Sequence, residues 1–277
     1  MAKLSMTSQR WAELTELLKD EPRLQSTFPL VAEYLSMAAR LRGTGDEQAD
    51  AQFDLRLVHY MTGGSAVALN PYWEIVQPFV TERHGRRIIN GGRGTGSARL
   101  AFAQMVLQAT YAYAVPSPET IEWVTGFCGD CPVVELGAGR GYWADQLARA
   151  GLAIEAYDSE PPDKGANVSF PRTVGQADVW HPVRSLDEFA DRSRPADYSL
   201  FLCWPPGWGD TMSSEVLALF EKAGGERLVY IGEPRGGKTG NDDFFAALSA
   251  RWKLESEDPH FVSWWTDADV AQGWVRG

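Results

Sequence analysis

The chain has 277 residues, is 44% hydrophobic, and carries three cysteines and a net charge of −11, enough for one large domain or two modest ones. No apolar run approaches the ~20 residues of a membrane span. The opening MAKLSMTSQRWAEL is amphipathic rather than signal-like, so a cytoplasmic location is expected. Residues 1–118 balance 12 Lys+Arg against 11 Asp+Glu, and the remainder sets 14 against 26, an acidity that disfavours a broad nucleic-acid footprint.

The first 116 residues read as helical. Thr7 or Ser8 caps a helix with Trp11, Leu14, Leu17 and Leu18 on one face, and Phe28 to Leu41 repeats the pattern. Further helices are expected at Ala49–Met61, at Pro71–Arg83 with a first-turn proline, and at Ser97–Tyr113. Glu82 to Arg99 lies between the last two and reads as a basic, glycine-rich loop in which five arginines face one glutamate. His84, beside Arg83, Arg86 and Arg87, would there meet an anionic acceptor such as a carboxylate or phosphate. A solvated loop hinged at Gly91-Gly92 fits the same residues. The other histidines, His59, His181 and His260, read as structural or exposed.

Pro116-Ser117-Pro118 marks a boundary, and a short helix at Glu119–Phe127 follows. Beyond it strands and helices alternate at the spacing of an α/β sheet, with strands expected near 132–136, 153–157, 172–176, 198–203 and 227–232. Trp252–Glu255 and Val270–Val275 would form a terminal strand pair. Cys128-Gly-Asp-Cys131 has metal-like spacing, but no second pair or nearby histidine completes a site. No metal and no disulfide framework are expected from these two cysteines and Cys203.

The chemistry concentrates at Val133–Gly151, VVELGAGRGYWADQLARAG, where a strand passes through a glycine turn into a helix. Such a turn lets a ligand approach backbone N–H groups at a helix N-terminus. The spacing E-L-G-A-G-R-G is not the dinucleotide G-x-G-x-x-G, and an acid two residues before the first glycine would repel a pyrophosphate. It suits a sulfonium and its amino group. The next strand ends at Asp158-Ser159, where a carboxylate would hold a ribose hydroxyl pair.

These residues resemble the class I S-adenosylmethionine-dependent methyltransferases over about residues 117–277. Val133–Gly141 is similar to their first motif, and Asp158 to the acid that ends the second strand. Gly175-Gln176-Ala177-Asp178-Val179 looks like the segment where an acid meets the adenine amino group and an apolar neighbour packs on the ring. Asp197 to Pro206 resembles the fourth strand and the substrate-facing loop. The resemblance implies a Rossmann-like, mostly parallel sheet with helices on both faces, preceded by an α-helical cap. The domains would then be a helical cap or substrate-binding subdomain at 1–116 and a cofactor domain at 117–277. It implies cofactor contacts at Glu135, Gly137, Ala138, Gly139, Gly141, Tyr142, Asp158, Ser159, Asp178, Val179 and Cys203. Amino-methyltransferases of nucleobases or glutamine amides carry Asn or Asp before Pro-Pro. Here Trp204 stands before Pro205-Pro206, which argues against base methylation and suggests a hydrophobic wall of Trp204, Pro205 and Trp208.

After the fifth strand, Glu233 would act as a general base or pair with Arg235. Gly232 to Thr239 fits the phosphate-loop spacing but lies too late in the chain to be followed by a magnesium-binding acid. Thr239 or Asn241 would cap the next helix. The expected function is transfer of a methyl group from S-adenosylmethionine to an O or N nucleophile of a small molecule, possible catalytic residues being Glu233 and His84, with Arg86 beside the acceptor. The alternatives are a nucleic-acid methyltransferase using the arginine loop, a nicotinamide oxidoreductase, and a non-catalytic nucleoside-binding protein. The oligomeric state is not readable.

Overall fold

The computed structural model describes residues 4–91, 96–162, 170, 172–190 and 197–277. It divides into two compact units, one of residues 1–110 with 172–178 and 264–266, the other of residues 111–171, 179–263 and 267–277.

The first unit is built from α1 (Ser8–Lys19), α2 (Glu21–Thr27), α3 (Pro29–Ala38), α4 (Glu47–Met61), α5 (Pro71–Val76), β1 (Val80–Arg83), β2 (Arg86–Ile89) and α6 (Ala98–Thr110). Thr7 caps α1, its side chain accepting from Arg10 N–H. Leu14 and Leu17 are buried, whereas Trp11 and Leu18 of the expected face are exposed. The helix expected at Pro71–Arg83 is cut short, since Pro78 sits in a 3-10 turn at Gln77–Phe79 and the chain then extends. The expected loop at 82–99 begins as an antiparallel hairpin in which Val80 pairs with Ile89 and Arg83 with Arg86. Its turn is His84-Gly85, both left-handed, the conformation that a two-residue hairpin turn requires. Residues 92–95 of that stretch lie outside the described residues. Trp265 N–H donates to the Ile89 carbonyl, and Trp264 Nε1 donates to the Tyr72 hydroxyl at 2.9 Å.

The second unit runs α7 (Pro118–Cys128), β3 (Val133–Leu136), α8 (Tyr142–Arg149), β4 (Ile154–Asp158), β5 (Val183–Ser185), α9 (Leu186–Ala190), β6 (Ser199–Cys203), α10 (Met212–Lys222), β7 (Arg227–Gly232), α11 (Asp242–Arg251), β8 (Trp252–Glu257), β9 (Val262–Trp264, whose last residue belongs to the first unit) and β10 (Val270–Arg276). Seven strands form one sheet in the order β5-β4-β3-β6-β7-β10-β8. The pairs among β5, β4, β3, β6 and β7 are parallel, and β10 runs antiparallel between β7 and β8. The Rossmann-like α/β sheet implied by the resemblance is therefore present, and the terminal strands pair as expected. The strand expected at 172–176 is absent, because Val174-Gly175 forms a turn, and the edge position is taken by the three-residue β5.

Alternation along the strands gives the sheet two apolar faces. Val134, Leu136, Leu200, Leu202, Leu228 and Tyr230 pack with Leu217 and Phe220 of α10 and Phe244 and Leu248 of α11. Val133, Phe201, Val229 and Ile231 pack on the other face with Val124 of α7 and with Trp143 and Leu147 of α8. The chain proceeds from β3 outward to β4 and β5, then returns to lay β6 on the opposite side of β3. In open α/β sheets, ligands bind where the strand order reverses in this way, beyond the carboxyl ends of the strands.

Candidate functional site

A cavity of about 480 Å³ lies at that reversal, lined by residues of the second unit. Its volume is in the range of small-molecule sites. Its floor comes from the end of β3 and the turn after it, and its walls from the segments after β4, β6 and β7.

Glu135 is 2% exposed and lines the cavity. Its parity with Val133 points it to the α8 side, where the Ala144 backbone N–H meets the carboxylate, but its Oε2 has no hydrogen-bond partner. Burial carries its carboxyl up to about 8, with Asp158 adding repulsion and the Ala144 N–H opposing both. Gly137 and Ala138 N–H groups donate to the Tyr157 carbonyl at 2.9 and 3.0 Å, folding the glycine turn back on β4. Gly139, at φ 55°, has no room for a side chain, since a Cβ would stand 2.5 Å from the Phe170 ring.

Asp158 binds the turn from the opposite side. Its Oδ2 accepts Gly139 N–H at 2.8 Å and its Oδ1 accepts Glu160 N–H at 2.9 Å. Burial raises its carboxyl above the ordinary range, against the pull of these two N–H groups. A carboxylate oxygen can accept more than one hydrogen bond, and Asp158 and Ser159 both line the cavity.

At the end of β6, Cys203 and Trp204 form the wall. Burial, then the charges of Glu135 and Asp269, push the Cys203 thiol well above its usual value. Trp204 takes a left-handed φ of 52°, its N–H donating to the Ile231 carbonyl at 2.7 Å and its Nε1 to Asp269 at 3.1 Å. Its ring stacks on Tyr113, centroids 5.5 Å apart and planes 11° apart, and Tyr113 meets Phe170 edge-on at 5.9 Å. Pro205 and Trp208 complete this side, Trp208 being 84% exposed.

In the loop after β7 Glu233 is an engaged carboxylate, but its cation is Lys238, and Arg235 pairs with Asp242 instead. Glu233 Oε2 accepts Lys238 N–H at 2.6 Å, its Oε1 accepts Ala268 N–H at 3.0 Å, and the Lys238 ammonium is 3.5 Å away. Burial works to raise its carboxyl, but these donors outweigh it and hold the group below the ordinary value. A carboxylate so engaged clamps the loop and is a poor general base, and Lys238 and Thr239 line the cavity in its place. The phosphate-loop spacing is equally committed, for Lys238 Nζ lies 2.6 Å from Asp267. Asn241 caps α11, accepting Phe244 N–H.

Of the expected cofactor residues, Glu135, Gly137, Ala138, Asp158, Ser159 and Cys203 line the cavity, and Gly139 is hydrogen-bonded to Asp158. Gly141 is the left-handed cap of α8, and Tyr142, 1% exposed, packs between Tyr111 and Trp180. Asp178 is not brought there: it pairs with Arg172 at 3.7 Å within the first unit, because the strand expected before it does not form. Val179 is 37% exposed and does not line the cavity either. His84 and Arg86 sit on the hairpin of the first unit, and both belong to its exposed surface. Tyr113, Phe170, Met212 and Lys238 line the cavity without having been singled out for it.

No protein-family model matches the chain, and no curated protein matches it. Among solved structures, magnesium protoporphyrin IX methyltransferase (ChlM) from Synechocystis PCC 6803 with bound SAM is similar at 16% identity and a TM-score of 0.35, covering 66% of this chain and 87% of that one. The same enzyme with bound SAH gives 15% identity, a TM-score of 0.35, and coverage of 66% and 90%. A point mutant of MtNAS gives 11% identity and a TM-score of 0.34, covering 98% of this chain and 99% of that one. Superpositions this loose carry no functional argument.

Proposed function

We propose that the second unit binds S-adenosylmethionine and promotes transfer of its methyl group to a small-molecule acceptor. The observation that carries this is Glu135, an acid with one unpartnered oxygen in the floor of a cavity otherwise rich in apolar and aromatic surface. A buried carboxylate of this kind calls for a cationic partner. The glycine cradle beside it admits a ligand only while Gly137 and Gly139 lack side chains, and Asp158 presents an acceptor surface to a hydroxyl pair. The resemblance seen in the sequence assigns these same positions to one cofactor.

On this reading Glu135 faces the amino group and sulfonium, Asp158 and Ser159 face the ribose, and Trp204, Tyr113 and Phe170 shield the reacting centre. The bound cofactor supplies a methyl group already activated on sulfur. The protein's contribution is then to position the acceptor and exclude water, a contribution that suits a wall of aromatic rings. Calorimetric titration with S-adenosylmethionine and S-adenosylhomocysteine tests it, with micromolar or tighter affinity expected for both. Absence of binding to either ligand would refute it.

A further inference from the structure

Among the described residues, the charged side chains lining the cavity are Glu135, Asp158, Glu160, Asp210 and Lys238. Lys238 is already answered by Asp267 at 2.6 Å and Glu233 at 3.5 Å, so the described lining residues offer an incoming cation four acidic side chains and no uncommitted cation of their own. At the base of the cavity, Glu135 is 2% exposed and keeps an oxygen without a partner.

Aromatic rings make up much of the remaining lining. Trp204, Tyr113 and Phe170 form one continuous row, and the protein's own cations already use its faces. Lys238 Nζ stands 6.0 Å from the Trp204 centroid, and Arg140 Cζ stands 6.0 Å from that of Phe170. Trp208 adds a ring that is 84% exposed and lines the same cavity. Ring faces attract cations, more strongly where water is excluded.

We infer that the methyl acceptor is an organic cation, a primary or secondary amine that arrives as its ammonium ion and is held by this aromatic row, Trp208 and the cavity carboxylates. The inference rests on the reading of the cavity as an S-adenosylmethionine site. The ammonium releases one proton to bulk water. Its nitrogen lone pair then forms the new N–C bond, while the C–S bond breaks and its electron pair stays on sulfur. Counted from the deprotonated amine, positive charge passes from sulfur to nitrogen, so one cation is still held in the cavity after transfer. A carboxylate or phenolate acceptor would instead bring negative charge in among four carboxyl groups, and its transfer would cancel the cation the wall is built to hold.

The test uses the full chain saturated with S-adenosylhomocysteine and titrated calorimetrically with three probes of matched shape: 2-phenylethylamine, trimethyl(2-phenylethyl)ammonium and 3-phenylpropionate. Both cations are expected to bind about tenfold more tightly than the carboxylate, the size of one desolvated cation–π contact. Trp208→Ala should weaken the cations by about fivefold and leave affinity for S-adenosylhomocysteine within about twofold. Binding of 3-phenylpropionate as tight as that of the cations, or no binding by any of the three, overturns the amine assignment and leaves the cofactor reading intact. Failure of S-adenosylhomocysteine itself to bind removes that reading, and the amine assignment with it.

Discussion

Replacing Glu135 with Gln should separate the stability of the ligand-free protein from its affinity for the cofactor. The carboxyl ordinarily titrates at 4.5, and burial, helped by Asp158 and opposed by the Ala144 N–H, carries it to about 8. Near pH 7 it is therefore about one-tenth ionised, and a cation that needs the carboxylate binds with a penalty of about 1.4 kcal/mol. Below the folded value each further pH unit costs about another factor of ten. Affinity for S-adenosylmethionine should rise about tenfold per pH unit between about pH 5.5 and 7.5, with close to one proton released per ligand bound.

The stability effect has the opposite sense. A carboxyl whose folded value is raised stabilises the fold below its unfolded value and loses that contribution as pH rises from about 4.5 through about 8. Glu135→Gln keeps an acceptor for the Ala144 N–H and removes the buried charge. The ligand-free variant should thus be more stable than the parent near pH 8.5 by a few kcal/mol, or roughly 5–10 °C in Tm. Its cofactor affinity should be weaker and lose the pH slope. Thermal melts and calorimetry in buffers of different ionisation enthalpy measure both effects. A variant that binds as tightly as the parent, beside a parent with flat pH dependence, would refute the pairing of Glu135 with the cation.

Asp158→Ala removes the acceptor for both Gly139 and Glu160 N–H groups and should weaken cofactor binding at least about tenfold; unchanged affinity would displace it from the ribose. Gly139→Ala drives a Cβ against Phe170 and should abolish binding while circular dichroism stays native. Glu233→Gln should lower stability by about 1–3 kcal/mol near neutral pH by loosening the Lys238 and Ala268 contacts. Because the Glu233 carboxyl is held low, that difference should shrink as pH falls through its folded value, and a pH–rate profile unchanged in shape would separate a clamp from a base. His59 is pushed down to about 4 by burial and by Arg10 and Arg56, so its neutral form favours the fold and stability is lost as pH falls from about 6.5 through about 4. In melts over that range, His59→Gln should flatten the acid limb.

The residues that meet at the turn after β3 were legible because they are close in sequence. Glu135, the glycine turn and Asp158 lie within one strand-turn-helix-strand unit, and the paired register Glu135–Ala156 follows from it. The hairpin at His84 carried a signal that went unread, since a residue before glycine between extended runs marks a two-residue turn. The third strand failed for another reason. A tract of three residues has too little periodicity to see, whereas the more strand-like Val174 stands beside Gly175, whose Cβ would meet the Thr27 carbonyl. Tyr113, Phe170, Met212 and Lys238 meet only through tertiary packing, and no local pattern joins them. The partners of Glu233 were not legible, because Lys238 N–H and Ala268 N–H are backbone groups with no signature in side-chain chemistry.

On the proposed reading, the placement of a single acid in β3 links the two ends of the cavity. Val134 and Leu136 face the α10–α11 side and Val133 the α7–α8 side, so parity alone commits Glu135 to the second face, against the first turn of α8. A slip of one residue would turn the carboxylate into the apolar cluster of Leu200, Leu202 and Leu217. In the observed register it meets one helix N–H, which leaves an oxygen over for the cavity. Glutamine, or any apolar residue of similar length, would fill that position with less strain on the ligand-free fold. On the proposed reading the acid is there for the cation it binds. A sulfonium beside it and an ammonium along the aromatic row would be drawn by the same acidic side chains, and that coupling predicts that Glu135→Gln weakens cofactor and amine together. Trp208→Ala should weaken the amine alone.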